Sequence, residues 1–141
     1  MKIDRKTVYD KYNGRCAYTG KPLNDDWQID HMTSKSKYYW NVVYGGIGGY
    51  TVEGIQDKLK QINNIDNLMP ALRIVNHYKR SLDLNGFRLY MTKFHKRLAK
   101  LPKKTSIPKT EKRIKYMNEV AQAFDITPDK PFSGKFYFET I

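Results

Sequence analysis

The feature that most constrains the fold is an apolar stripe in the second half of the chain. Its residues recur at intervals of three and four positions, which is the spacing of one face of an α-helix; they are Leu84, Phe87, Met91, Phe94, Leu98 and Leu101. Asp83 precedes the stripe as a candidate N-cap, and Pro102 follows it as a stop. The sequence therefore predicts one helix over 84–101, which needs an apolar partner surface elsewhere in the chain.

Shorter patterns predict the elements that could supply this partner. Residues 27–32 alternate apolar and polar side chains and predict a strand. Leu68 and Met69 form a second strand candidate, which we expect Pro70 to end. A helix is predicted over 71–80, and other helices are predicted over 5–12, 52–61 and 110–124. Residues 33–50 are expected to form an irregular loop, and residues 136–138 an edge strand.

These patterns together predict an α+β fold in one domain. A chain of 141 residues fits one domain of ordinary size, and 40% hydrophobic residues are enough to build a core. We expect residues 1–82 to form a core unit that carries an insertion at 33–63. Residues 83–141 are expected to form a helical extension and tail packed on that unit.

The net charge of +12 is concentrated in one third of the chain. Residues 73–115 hold 14 Lys and Arg with only Asp83 and Glu111 as acids, so this segment alone accounts for the whole excess. Such a field attracts polyanions, and nucleic acid is the leading candidate. The alternative is a solvated basic surface that only aids solubility.

Membrane and secreted classes are not indicated by the sequence. There is no run of about 18 apolar residues, and the N-terminus lacks the apolar stretch of a secretory signal. We therefore expect a cytoplasmic protein without a membrane partner. Cys16 is the only cysteine, so an internal disulfide or a multi-cysteine zinc site is excluded.

Three short motifs carry side chains suited to phosphodiester chemistry. They lie at 29–31 on a predicted strand end, at 66–70 on a turn, and at 75–80 on a predicted helix. Histidine suits proton transfer near neutral pH, and carboxylate and amide oxygens suit a hard cation such as Mg²⁺. Adjacent strand residues face opposite ways, so Asp30 and His31 can serve one site only if the strand bends at its end.

These stretches resemble the HNH endonucleases, also called ββα-metal nucleases. A typical member has a Cys-x-x-Cys knuckle, then Asp-His, then Asn-Leu-x-Pro-Ala-Cys-x-x-Cys-Asn-x-x-Lys. The resemblance covers residues 5–32 and 64–90 most closely, and the tail is similar to a phage and prophage subset. It implies that the core unit is a ββα-metal core, with a long loop insertion and C-terminal helices. The matching stretches are 16–20, 29–31, 67–79, 81–88 and 136–139.

The resemblance implies a role for each residue of the constellation. His31 would be the general base, and Asn67 would hydrogen-bond and orient its ring. Asp30 and Asn76 would hold one divalent metal ion, with Mg²⁺ as the first choice and Mn²⁺ as the second. Lys79 would contact phosphate near the scissile bond. The implied activity is an endonuclease that nicks or cuts DNA, with RNA as an alternative substrate.

The basic helices between residues 71 and 115 are expected to line the path of the phosphate backbone. The residues predicted to bind nucleic acid are Arg73, Lys79, Arg80, Arg88, Lys93 and Arg97.

The chain departs from the family at its zinc knuckle. Of the four cysteine positions only Cys16 remains, and the others are Thr19, Leu72 and Val75. No structural zinc is therefore expected, and apolar packing must hold this region instead. The departure leaves two alternatives open: a catalytically inactive module that binds nucleic acid, or a protein-interaction module of the same fold.

Overall fold

The computed structural model describes residues 3–34 and 60–141. They form a mixed fold of helices and one small antiparallel sheet, which confirms the α+β prediction at that level. The predicted loop over 33–50 and helix over 52–61 fall almost entirely outside the described residues. The elements in chain order are α1 (Arg5–Asp10), β1 (Gln28–His31), β2 (Leu68–Ala71), α2 (Arg73–Lys79), α3 (Leu84–Thr92), α4 (Phe94–Ala99) and α5 (Pro108–Phe124).

Single turns of 3-10 helix complete the described segments. Two of them precede β2, at Gln61–Asn63 and Ile65–Asn67, and one lies in the tail at Tyr137–Glu139. None of the described helices combines the length and the apolar character that crossing a membrane requires.

Strands β1 and β2 pair in antiparallel register. Asp30 lies opposite Met69, and His31 lies opposite Leu68. The pairing continues for one more step, because the Met32 N–H donates to the Asn67 carbonyl at 2.9 Å. Side chains alternate between the two faces of such a ladder. Asp30 and His31 therefore project to opposite faces of β1.

Pro70 lies inside β2, so the prediction that it ends the strand is wrong. It pairs with Ile29, and its carbonyl accepts a hydrogen bond from the Ala17 N–H at 2.8 Å. The peptide edge of Pro70 therefore points away from β1, toward the segment that carries Ala17. The missing N–H of proline costs no ladder bond at this position.

The apolar stripe is buried as predicted, but the helix that carries it is interrupted. The chain leaves helical hydrogen bonding at Lys93, between α3 and α4. The Thr92 hydroxyl donates to the Arg88 carbonyl at 2.8 Å, and such back-bonding competes with the regular helix ladder. The prediction of one unbroken helix over 84–101 is therefore wrong. Four residues of the apolar stripe nevertheless lie in the core: Phe87, Met91, Phe94 and Leu98.

Tyr18 lies at the centre of the aromatic part of the core. Its ring packs edge-on against Phe87 and Phe136, with centroid distances of 5.6 and 5.3 Å. Phe87 and Phe136 stack on each other at 5.2 Å. Cys16 and Val75, two of the positions that the resemblance aligns with knuckle cysteines, are fully buried in the same cluster. The first third of the chain, α2, α3 and the tail thus share one apolar core.

The tail curls into a turn at Tyr137–Glu139, so the prediction of an edge strand over 136–138 is wrong. The Phe136 N–H donates to the Glu139 carboxylate at 2.9 Å, which closes the turn. Arg88 holds the same carboxylate through two hydrogen bonds of 2.6 and 2.7 Å. These contacts bind the tail to α3 and set Phe136 into the core.

We expect Phe136→Ala to lower the free energy of unfolding by about 3–5 kcal/mol, because it removes a fully buried ring from this core. Urea unfolding monitored by circular dichroism measures the change. Ile141→Ala is the matched control, since Ile141 is 71% exposed and its truncation should change stability by less than about 0.5 kcal/mol. Equal unfolding midpoints for the two variants would contradict the packing of the tail.

Candidate functional site

A buried ion pair joins α2 to β1. The Lys79 ammonium lies 3.3 Å from each carboxylate oxygen of Asp30, and the two side chains are 0% and 4% exposed. The Tyr18 hydroxyl also donates to this carboxylate, and Lys79 donates to the His31 carbonyl at 3.1 Å. Lys79 therefore points inward, which corrects the expectation that it contacts phosphate.

The surroundings of Asp30 act on its pKa in opposite directions. Burial raises the pKa of Asp30, while the Lys79 charge and the Tyr18 hydrogen bond lower it. Burial and the nearby Asp30 charge raise the pKa of Tyr18 well above its usual value, so Tyr18 keeps its proton and donates it. A carboxylate at this depth requires such partners, because an unpaired buried charge is strongly destabilising.

A second polar bridge lies beside the ion pair. Asn76 precedes Lys79 by one turn of α2, and its Nδ2 donates to the Gln28 side-chain oxygen at 2.7 Å. Gln28 and Asp30 share one face of β1, just as Asn76 and Lys79 share one face of α2. Two neighbouring side-chain bridges therefore fasten the helix across the strand. The sequence interpretation missed Gln28, although its alternation with Asp30 indicates a shared face.

The His31 side chain lies on the other face of β1, where it is half-buried. Its Nε2 lies 2.9 Å from the Asn63 side-chain oxygen. An amide oxygen only accepts, so Nε2 carries the proton and Nδ1 is the basic nitrogen of the neutral ring. Nδ1 has no hydrogen-bond partner among the residues that the structure describes. The sequence interpretation missed Asn63, which it treated only as part of a turn.

Asn67 does not bind the His31 ring, contrary to expectation. Its Oδ1 accepts from the Thr33 N–H at 2.9 Å, and its Nδ2 donates to the carbonyls of Ile62 and Thr33 at 2.9 and 3.2 Å. These bonds join the end of β1 to the turn that contains Asn63. Asn67 therefore supports the contact between Asn63 and His31 without touching the ring.

The constellation is thus divided between the two faces of β1. Asp30, Asn76 and Lys79 meet on the face that packs against α2, whereas His31 meets Asn63 on the other. The predicted site requires a bend at the end of the strand, so that Asp30 and His31 can point into one site. Strand β1 instead stays regular, and its ladder continues beyond His31.

The side chains expected to bind a metal ion do not fit one as they are placed. Both oxygens of Asp30 contact the Lys79 ammonium, so a divalent cation there would adjoin a second positive charge. Mg²⁺ instead prefers several oxygen ligands in near-octahedral geometry. Across residues 3–34 and 60–141, no three His, Cys, Asp or Glu side chains converge in a metal-binding group.

The residues predicted to bind nucleic acid differ in their availability. Besides the buried Lys79, Arg88 is occupied by Glu139 and by the Gly134 carbonyl. Arg97 is half-buried and donates to neighbouring groups of α2 and α3. The remaining three are exposed and open to a ligand: Arg73, Arg80 and Lys93.

Comparisons of the chain with models of protein families, with characterised proteins and with solved structures gave no match. The HNH resemblance therefore rests on the motif residues, and it stays a prediction.

We expect Lys79→Met to lower the free energy of unfolding by about 3–5 kcal/mol at neutral pH, because it leaves Asp30 buried without its counter-charge. The loss should depend on pH. Burial raises the pKa of Asp30, and removal of Lys79 raises it further. The protonated form is then favoured by folding, so stability that is present below about pH 4 is lost as the pH rises through the folded-state pKa.

Urea unfolding of Lys79→Met and wild type across this pH range measures the effect. The double variant Asp30→Asn/Lys79→Met is the control, because it has no carboxylate and should lose the added pH dependence. A deficit in Lys79→Met that is the same at every pH would contradict the buried pair.

Proposed function

We propose that this chain hydrolyses phosphodiester bonds in DNA, with His31 as the general base. The observation that carries the proposal is the half-buried imidazole, which Asn63 fixes at Nε2 and which keeps Nδ1 without a hydrogen-bond partner among the described residues. A neutral histidine held in one orientation can accept a proton from an attacking water molecule. The chain order of β1, β2 and α2 supports the ββα-metal core as part of the same proposal.

In the proposed reaction, the described residues transfer a proton and hold the reacting groups in position. Nδ1 of His31 takes a proton from water, whose oxygen attacks the phosphorus while the bond to the leaving oxygen breaks. The leaving oxygen takes the electron pair of that bond and is protonated from solvent, and the imidazolium returns its proton to solvent. The Asn63 oxygen accepts from Nε2 throughout, so it stabilises the imidazolium as it forms. The excess positive charge of residues 73–115 attracts the DNA backbone to the protein.

The HNH resemblance also implies a divalent cation, Mg²⁺ or alternatively Mn²⁺. Such an ion would stabilise charge on the leaving oxygen. The resemblance assigns the Asp30 carboxylate to this ion, but Lys79 is paired with that carboxylate. No step of the proposed reaction therefore uses the ion, and the cleavage experiment tests whether one is needed.

A DNA-binding module without catalysis is the second candidate function. The Lys79 ammonium favours it, because a positive side chain already neutralises the expected metal ligand Asp30. Both candidates predict DNA binding, and cleavage separates them.

Supercoiled plasmid incubated with the purified chain, in Mg²⁺, in Mn²⁺ and in EDTA, tests the hydrolysis. We expect nicked or linear product, and a rate about 10²- to 10⁴-fold lower for His31→Ala, since general-base catalysis contributes that much. His77→Ala is the matched control and should cleave like wild type. RNA of matching sequence tests the alternative substrate. Plasmid that is retarded on a gel but uncut in every metal would contradict hydrolysis and support the binding module.

We expect Asn63→Ala to lower kcat about 10- to 100-fold, because the ring loses its orientation, while affinity for DNA stays unchanged. Asn63→Asp keeps an acceptor oxygen and should retain most of the rate. Asn118→Ala, on the exposed side of α5, controls for loss of an asparagine. Cleavage by Asn63→Ala at the wild-type rate would remove Asn63 from the site.

A further inference from the structure

A groove of about 500 Å³ lies between the end of α2, the α3–α4 pair and α5. None of the described residues that line it is acidic. Arginine and tyrosine side chains from four helical segments dominate its wall: Tyr78, Arg80, Tyr90, Arg97, Arg113 and Tyr116. We call this surface the arginine groove.

Arg97 supplies a positive charge that is fixed in position. Its guanidinium lies 4.0 Å above the Tyr90 ring and donates to the Tyr78 hydroxyl at 3.1 Å and to the Tyr90 carbonyl at 2.8 Å. Its Nε is buried and has no hydrogen-bond partner in the described part of the chain. Packing therefore holds this guanidinium, whereas a carboxylate holds that of Arg88.

Arg80 reaches the groove from a strained backbone. It ends α2 at φ 55° and ψ −133°, a conformation that is unfavourable for a residue with a side chain. Residues with such backbone strain cluster at functional sites. The side chain of Arg80 is exposed, and its charge acts on the Tyr116 hydroxyl by lowering a pKa that burial raises.

The three guanidinium groups together leave the groove strongly positive. Within residues 3–34 and 60–141, no carboxylate pairs with Arg80, Arg97 or Arg113. A guanidinium binds phosphate oxygens through paired N–H donors, which suits a phosphodiester better than a single ammonium does. A groove with this lining favours an anion with several oxygens.

We propose that the arginine groove binds a backbone phosphate of the DNA. Arg80 and Arg113 contact the phosphate, and Arg97 supplies fixed positive charge beside them. Arg80 directly follows the buried Lys79 at the end of α2, so the groove begins where the helix that packs on β1 ends. The choice of DNA rests on the proposed function. Phosphate contacts carry no base information, so binding here is independent of sequence.

Fluorescence anisotropy with a labelled DNA duplex tests this site in the His31→Ala background, where cleavage does not interfere. We expect Arg80→Gln/Arg113→Gln to weaken binding about tenfold or more at low salt. The slope of log affinity against log salt should fall by about 1.8, since each lost phosphate contact removes about 0.9. Arg113→Gln alone should show about half of that change in slope. Because Arg113 lies on the exposed side of α5, this variant keeps the test valid if substitution of the strained Arg80 causes misfolding.

The control variant Lys130→Gln/Lys135→Gln removes the same net charge outside the groove and should leave the slope nearly unchanged. Equal affinity and slope for the two double variants would overturn the proposal. Because this readout is binding, absence of plasmid cleavage would refute the proposed hydrolysis and leave the groove intact.

Inorganic phosphate and a deoxynucleoside monophosphate distinguish a polynucleotide groove from a pocket for small phosphates. We expect unlabelled DNA to displace the labelled duplex at far lower phosphate concentration than either small ligand. Tight, saturable binding of the mononucleotide that Arg80→Gln/Arg113→Gln abolishes would overturn the assignment to DNA backbone.

Discussion

The buried contact between the Asp30 carboxylate and the Lys79 ammonium is the constraint on which the arrangement of the site depends. Removing two charges from water is costly, and attraction between them offsets that cost only when further hydrogen bonds satisfy both groups. Tyr18 and the His31 carbonyl provide these bonds. Tyr18 also packs against Phe87, so the ion pair is tied directly to the aromatic core.

The same contact closes one of the two faces of β1 between which the polar residues are divided. Once Lys79 is drawn inward, α2 is fixed across β1 and the Asp30 face of the strand is closed. Because side chains alternate along a strand, His31 faces the opposite side, where the turn containing Asn63 meets it. Helix α2 ends at Lys79, and the strained backbone of Arg80 carries the Arg80 side chain outward to the arginine groove. The buried pair thus fixes α2, whose end leads to the proposed phosphate contact, against the strand that carries the proposed base.

Local patterns predicted much of the fold, and non-local contacts determined the rest. Strand β1 and the buried stripe followed from side-chain periodicities of two and about 3.6, which are properties of neighbouring residues. The continuation of β2 through Pro70 depends on a distant partner, Ala17, which no local pattern reveals. Asn63 and Asn67 lie in the same turn-rich stretch, and only the fold shows which amide reaches the ring of His31. The resemblance implies that Lys79 contacts phosphate, but lysine can be buried when it is paired, and its partners Asp30 and His31 lie on a strand remote in sequence.

The side-chain ammonium resonance of Lys79 in an ¹⁵N-labelled chain tests the buried pair most directly. Lys79→Arg assigns the signal by removing it. A pair shielded from water predicts a slowly exchanging ammonium that is observed at neutral pH and that is lost or strongly shifted in Asp30→Asn. An ammonium of Lys79 that exchanges as fast as those of exposed lysines, and that ignores Asp30→Asn, would show that the two charges do not meet inside the protein.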